Sequence, residues 1–172
     1  MDDSGRAATV VGAIIAVVLQ IVVAPNIALF AAVPNFLLAY VVVVALVRAD
    51  SCGVVMPFVL GLVFDLVGGG PVGGMALLFV LVTLLLSRAF MVMNNGTLFM
   101  PLVMLVGSVL IVEVVYALIV MACGLSVSVV EAFVYRSLPC ALYDCVISLI
   151  MYPLAVRFLV PRGATPQAPL VG

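Results

Sequence analysis

The chain has 172 residues, of which 68% are hydrophobic and 8% are charged, and its mean hydropathy is +1.54. A water-soluble protein of this size needs far less apolar surface, so the composition indicates an integral membrane protein. Six arginines stand against seven acidic residues, and lysine and histidine are absent. A basic surface for nucleic acid and a histidine for metal binding or proton transfer are therefore excluded.

Six apolar segments have the length and composition of membrane-spanning helices. They cover about residues 9–30, 33–47, 53–67, 73–91, 98–121 and 138–160. The second is short for a hydrocarbon core of ~30 Å, so we expect it to thin the bilayer locally or to use interfacial residues. The sequence predicts an all-α, polytopic bundle of six transmembrane helices that forms one domain over residues 1–160.

Two further segments are too polar to span a membrane. In residues 124–136 serines, a glutamate and an arginine alternate with valines, which favours an interfacial helix. Residues 161–172 contain proline and glycine and are expected to form a disordered cytoplasmic tail.

The distribution of arginine predicts the orientation in the membrane. Six spans place both termini on one side, and a cytoplasmic N-terminus puts five arginines inside and one outside, as the positive-inside rule favours. The inner arginines are Arg6, Arg48, Arg88, Arg157 and Arg162, and the outer one is Arg136.

Small and polar residues follow one face of the first predicted helix, at Gly12, Ala16, Gln20 and Ala24. A face of this kind packs closely against another helix, and Gln20 is predicted to form an interhelical hydrogen bond. The four cysteines contain no CxxC pair and are interpreted as small apolar residues in packed helices; the sequence does not establish a disulfide.

The stretch GLVFDLVGGGPVG, residues 61–73, places Asp65 inside an apolar run. An acid at the centre of a membrane helix costs roughly 3 kcal/mol, so Asp65 needs a partner or a wet cavity. Gly53, Pro57, Gly61 and Asp65 recur every four residues. This spacing puts the acid on the small-residue face, and we expect Asp65 to point into the bundle.

The glycine-rich part of this stretch cannot continue a regular helix. Gly68 and Gly73 have high backbone entropy, and Pro71 lacks an N–H group, so the segment predicts a tight turn or a short re-entrant connection. The alternative is a plain glycine-rich hairpin in which Asp65 is neutral or interfacial.

Three acidic residues are predicted to lie in the outer half of the membrane. At about 1.5 Å per residue, Asp65, Asp144 and Glu113 lie roughly 3, 9 and 12 Å below the outer ends of their helices. We therefore predict a polar junction of these three acids, neutral or partly paired with Arg136, beneath the glycine turn.

Two other function classes are compatible with this pattern of buried acids, but the chain lacks residues that each class needs. The first is the intramembrane aspartyl proteases. Tyr143-Asp144 is similar to half of the intramembrane aspartyl protease motif, but Leu62, Val63 and Phe64 precede Asp65 where that family has Gly-x-Gly. No nucleophile–base pair, metal-ligand spacing or phosphate-binding motif is present. The sequence predicts no enzyme, no cofactor and no metal site.

Small-molecule uptake is the second alternative. Six short helices with a polar outer junction resemble the substrate-binding S component of energy-coupling factor transporters. The small face at Gly12 and Ala16 would then meet the coupling subunit. Few polar side chains are available to orient a vitamin-like ligand, and no tryptophan is present to stack on it.

A third set of residues resembles the rod shape-determining protein MreD family. The similar features are Pro34-Asn35, Arg48, Gly53, Gly61-Leu62-x-x-Asp65-Leu66, Pro71-Val72-Gly73, Pro139, Ala141, Tyr152 and Arg157. The family commonly has Pro-Leu-Gly where this chain has Pro71-Val72-Gly73, a change that preserves the turn chemistry.

The resemblance implies a non-enzymatic component of the bacterial inner membrane that acts in cell elongation, cell shape and peptidoglycan synthesis. The implied partner is MreC, with the MreB filament, RodA and a penicillin-binding protein as indirect partners. Structural or partner-facing roles are predicted for Gly61, Asp65, Gly68, Pro71, Gly73, Glu113, Arg136 and Asp144.

Overall fold

The computed structural model describes residues 3–28, 32–49, 53–93, 99–123 and 138–159. Within these ranges the chain forms six α-helices: α1 (Asp3–Val18), α2 (Phe36–Val47), α3 (Val55–Gly68), α4 (Gly74–Met93), α5 (Phe99–Ala122) and α6 (Leu138–Leu159). Four helical segments are long and apolar enough to cross a membrane: Gly5–Ile27, Gly74–Met93, Phe99–Ala122 and Leu138–Leu159. The prediction of a helical membrane protein is confirmed. The predicted interfacial helix, the predicted tail and Arg136 lie outside the described residues.

The first helix differs from the predicted continuous helix over residues 9–30. It begins earlier, at Asp3, and after Val18 it changes to a π-helical turn over Leu19–Val23 and then a 3-10 turn over Ala24–Ile27. The change coincides with Pro25, which has no N–H group to continue the α-helical hydrogen bonds. Gln20, in the π-helical turn, is buried.

The short second helix is the centre of the bundle. Every residue from Phe36 to Leu46 is buried, and α2 packs against each of the other five helices. Its 12 residues span about 18 Å, which is too short for the hydrocarbon core. The other helices surround it on all sides, and its first turn lies inside the bundle. The expected thinning of the bilayer, or the use of interfacial residues, stays a prediction.

Helices α3 and α4 form an antiparallel hairpin across the glycine turn. α3 ends at Gly68, Gly69 has φ of 65° and α4 begins at Gly74, so the predicted tight turn is present. Gly73 has φ of 98°, a left-handed backbone conformation that favours glycine strongly. Tyr116 of α5 lies over this turn against Gly74, and its ring meets that of Phe64 edge to face at 6.3 Å.

Candidate functional site

The acid in the glycine-rich stretch binds the start of the next helix. Asp65 is 1% exposed, and its Oδ2 accepts hydrogen bonds from the N–H groups of Gly73 at 2.8 Å and Ala76 at 3.3 Å. Its Oδ1 accepts from the N–H group of Met75 at 3.1 Å. The first turn of a helix has N–H groups without intrahelical partners and a partial positive charge, and a carboxylate satisfies both. Asp65 therefore caps α4 from the last turn of α3.

A close approach of the two helix backbones makes this cap possible. A Cβ atom at Gly61 would lie against the Cα of Ala76 and only 2.7 Å from both its nitrogen and the carbonyl oxygen of Met75. Backbone atoms cannot rotate away as a flexible side chain can, so any residue larger than glycine at position 61 would push the two helices apart. Because Gly61 lies one turn before Asp65 on the same face, the contact at Gly61 brings the α4 N-terminus within reach of the carboxylate.

Helix α2 begins inside the protein, and three side chains accept hydrogen bonds from the N–H groups at its start. Asn35 is the N-cap, and its Oδ1 accepts from the N–H of Leu38 at 2.9 Å. Gln20 Oε1 accepts from the N–H of Phe36 at 2.8 Å, while Gln20 Nε2 donates to the carbonyl of Pro34 at 3.2 Å. Non-helical backbone at membrane depth is tolerated only where protein supplies such partners.

The third partner of this helix start comes from α6. Asp144 is fully buried, and its Oδ1 accepts from the backbone N–H of Asn35 at 2.6 Å. The carboxyl group of Asp144 also lies close to that of Glu113, on α5. We call Gln20, Asn35, Glu113, Asp144 and Ser148 the α2 junction.

The structure divides the predicted polar junction of three acids. Glu113 and Asp144 are brought together, whereas Asp65 takes its hydrogen bonds from α4. The side chains of all three acids are buried within the chain, and their structural or partner-facing roles stay a prediction. Of the remaining predicted site residues, Gly68 ends α3 on an exposed position, and the carbonyl of Pro71 accepts from the N–H of Gly74 at 3.1 Å.

Two residues of the α2 junction, Gln20 and Asn35, were recognisable in the sequence, although not as parts of one site. Gln20 was predicted to form an interhelical hydrogen bond, and it does so with the backbone before α2. Asn35 stood out only through the family resemblance, although an asparagine immediately before an apolar helical run is also a capping signal. Nothing in the sequence indicated that Asp144, 109 residues later, would bind the N–H of Asn35.

The small face of α1 packs inside the chain. Ala16 is 1% exposed and Ala24 is fully buried, and a Cβ atom at Gly12 would lie 2.6 Å from the hydroxyl of Tyr40 on α2. The hydroxyl of Tyr40 donates to the carbonyl of Thr9 at 2.6 Å. The predicted close packing of this face is present, but its partner is α2. The face is therefore not available to a coupling subunit, which was the role that the transporter alternative gave it.

The arrangement favours structural use of the acids over catalysis. An aspartyl protease needs two acids that face one water molecule, whereas both oxygens of Asp65 are engaged with α4. Among the described residues, no group of three histidine, cysteine or acidic side chains has a geometry that would hold a metal ion. What the two sites do is fix the start of a helix within the membrane.

Comparison with known proteins supports one of the three classes. A family model described as rod shape-determining protein MreD matches residues 6–161, which include α1 to α6 almost completely. No curated protein and no solved structure matches the chain.

Proposed function

The chain belongs to the rod shape-determining protein MreD family, and from this premise we propose that it is a non-enzymatic membrane component of the cell-elongation machinery that binds MreC. The observation that carries the proposal is the family match over residues 6–161. We further propose that it lies in the bacterial inner membrane with six spans and both termini in the cytoplasm. Through MreC it would act with MreB, RodA and a penicillin-binding protein in peptidoglycan synthesis.

The use of the polar groups supports a scaffold role. Asp65, Gln20 and Asn35 are engaged in fixing helix ends, which leaves them unavailable for chemistry on a substrate. A helix start that is tied to the π-helical turn by Gln20 and to α6 by Asp144 holds the bundle in one arrangement. A rigid bundle is what a membrane protein needs to present a constant surface to the transmembrane helix of a partner.

The surface that such a partner would meet is apolar and carried by the outer faces of the long helices. Large side chains there are strongly exposed, for example Ile14 at 58%, Leu85 at 70% and Ile111 at 64%. Association of helices in a membrane depends on close packing, because lipid is as apolar as the helix surface. A bulky substitution on the correct face therefore weakens binding without disturbing the fold.

The proposal is tested by copurification of the tagged chain with the MreC encoded in the same genome, after coexpression and extraction in mild detergent. We expect a stable complex. Tryptophan variants at Ile14, Leu85 and Ile111 test three different helix faces. At least one of the three variants should copurify with less MreC, while the others serve as controls that carry the same added bulk.

Cell shape supplies the second measurement. Depletion of the chain in its own host should turn rod-shaped cells round, and expression of the wild-type chain should restore the rods. A monodisperse, folded protein that leaves MreC behind, together with normal rods after depletion, would show that the proposal is wrong.

A further inference from the structure

The α2 junction contains more hydrogen-bonding atoms than the capping of α2 uses. Asn35 Oδ1 and Asp144 Oδ1 accept backbone hydrogen bonds, but Asn35 Nδ2 has no partner among the described residues. No N–H or hydroxyl group of those residues reaches Asp144 Oδ2, and the hydroxyl of Ser148 also has no partner among them. All three side chains are buried, at 2%, 0% and 0% exposure.

These three groups belong to one place in the fold. The backbone N–H of Asn35 lies 2.6 Å from Asp144, so the Asn35 side chain is adjacent to that carboxyl group. Ser148 follows Asp144 by one helical turn on the same face of α6. A buried polar atom without a partner is costly, and native proteins contain only a few per 100 residues. Three at one helix end indicate a shared ligand.

The chemistry of the three atoms identifies that ligand. Asn35 Nδ2 only donates, Asp144 Oδ2 in its ionised form only accepts, and the Ser148 hydroxyl does either. A metal cation would be repelled by the amide N–H groups, and an anion by the two carboxyl groups. A water molecule accepts from one side and donates to the other, and buried waters typically make about three hydrogen bonds to such groups.

We propose that Asn35, Asp144 and Ser148 bind a buried water molecule, which accepts from Asn35 Nδ2 and donates to Asp144 Oδ2. The junction is thereby a hydration site inside the bundle, in addition to the start of α2. The Asp65 site binds no such water, because both oxygens of Asp65 accept hydrogen bonds from the N–H groups of Gly73, Met75 and Ala76.

Thermal unfolding of two matched variants tests the water. Ser148→Ala removes a hydroxyl that the water would bind, so the unfolding temperature should fall by about 2–4 °C. Thr83→Val removes another buried hydroxyl without a partner among the described residues, but one that belongs to α4, and its temperature should stay the same or rise. A Ser148→Ala protein as stable as Thr83→Val would mean that the junction is dry.

Discussion

Asp65 and Asp144 are both buried, and each accepts hydrogen bonds from backbone N–H groups at the start of a helix, but their surroundings differ. Asp65 is 8 to 11 residues from its partners, and its two oxygens receive three N–H groups. Asp144 is 109 residues from Asn35; one of its oxygens receives the N–H group of Asn35, and the carboxyl group of Glu113 lies nearby. Both oxygens of Asp65 therefore accept hydrogen bonds from the protein, whereas Asp144 has an oxygen that can accept a further hydrogen bond.

The difference teaches that an intramembrane acid is not by itself a sign of function. A carboxylate whose acceptors are filled by a helix N-terminus is stabilised by the hydrogen bonds and by the helix dipole. An acid that lies beside a second acid, among polar atoms without hydrogen-bond partners, is not stabilised in this way. Substitutions that keep the shape of the side chain and change only its donors and acceptors separate the two cases.

The largest effect is expected for Asp65→Asn. One oxygen is replaced by an NH₂ group that faces backbone N–H donors, and the negative charge at the α4 N-terminus is lost. Unfolding should become easier by about 2–3 kcal/mol, because hydrogen bonds to charged groups contribute about 1.5–3 kcal/mol each. The measurement is thermal or denaturant unfolding of the purified protein in detergent. An unchanged midpoint would show that Asp65 does not act as a charged cap.

Gly61→Ala tests the same site through the contact between α3 and α4 and leaves the acid unchanged. The added methyl group meets backbone atoms of α4, and such overpacking costs about 1–3 kcal/mol. The control is Gly107→Ala, since a Cβ atom at Gly107 of α5 would have no neighbour within 4 Å. There, alanine should leave stability the same or raise it by up to about 1 kcal/mol, because it favours the helix. Equal effects of the two variants would contradict the close approach at Gly61.

The smallest effect is expected for Asp144→Asn. The amide oxygen can still accept from the Asn35 N–H, and the NH₂ group can donate to the neighbouring carboxyl group of Glu113. The change in the free energy of unfolding should stay within about 0.5 kcal/mol, the usual range for a substitution that leaves no group unsatisfied. If unfolding measurements show the same loss for Asp144→Asn as for Asp65→Asn, the two acids do not differ as described.

The sequence alone predicted the Asp65 site better than the α2 junction. The period-four recurrence of Gly61 and Asp65 placed the acid on the packed face, and the glycines placed the turn, because both signals are local. The partner of Asp65 follows closely in the chain. The contact of Asn35 with Asp144 joins distant segments, and periodicity places residues on faces without saying which faces meet.

The second and first helices illustrate the same limit. An apolar run of valine and leucine has no polar face, so its pattern is equally compatible with a helix in lipid and with α2, which is enclosed by protein. The π-helical turn at Leu19–Val23 has no sequence signature of its own. Only the packing of Gln20 against the backbone before α2 gives that turn a physical reason.

The long separation between Asn35 and Asp144 has a consequence for biosynthesis. Chains emerge from the ribosome N-terminus first, so α2 is made well before α6. Until residue 144 has entered the bundle, the backbone N–H of Asn35 lacks its acceptor, and α2 lacks one of the helices that cover it. In a nascent chain that stops short of α6, the central helix therefore lacks part of its packing and one acceptor at its start, and α6 supplies both.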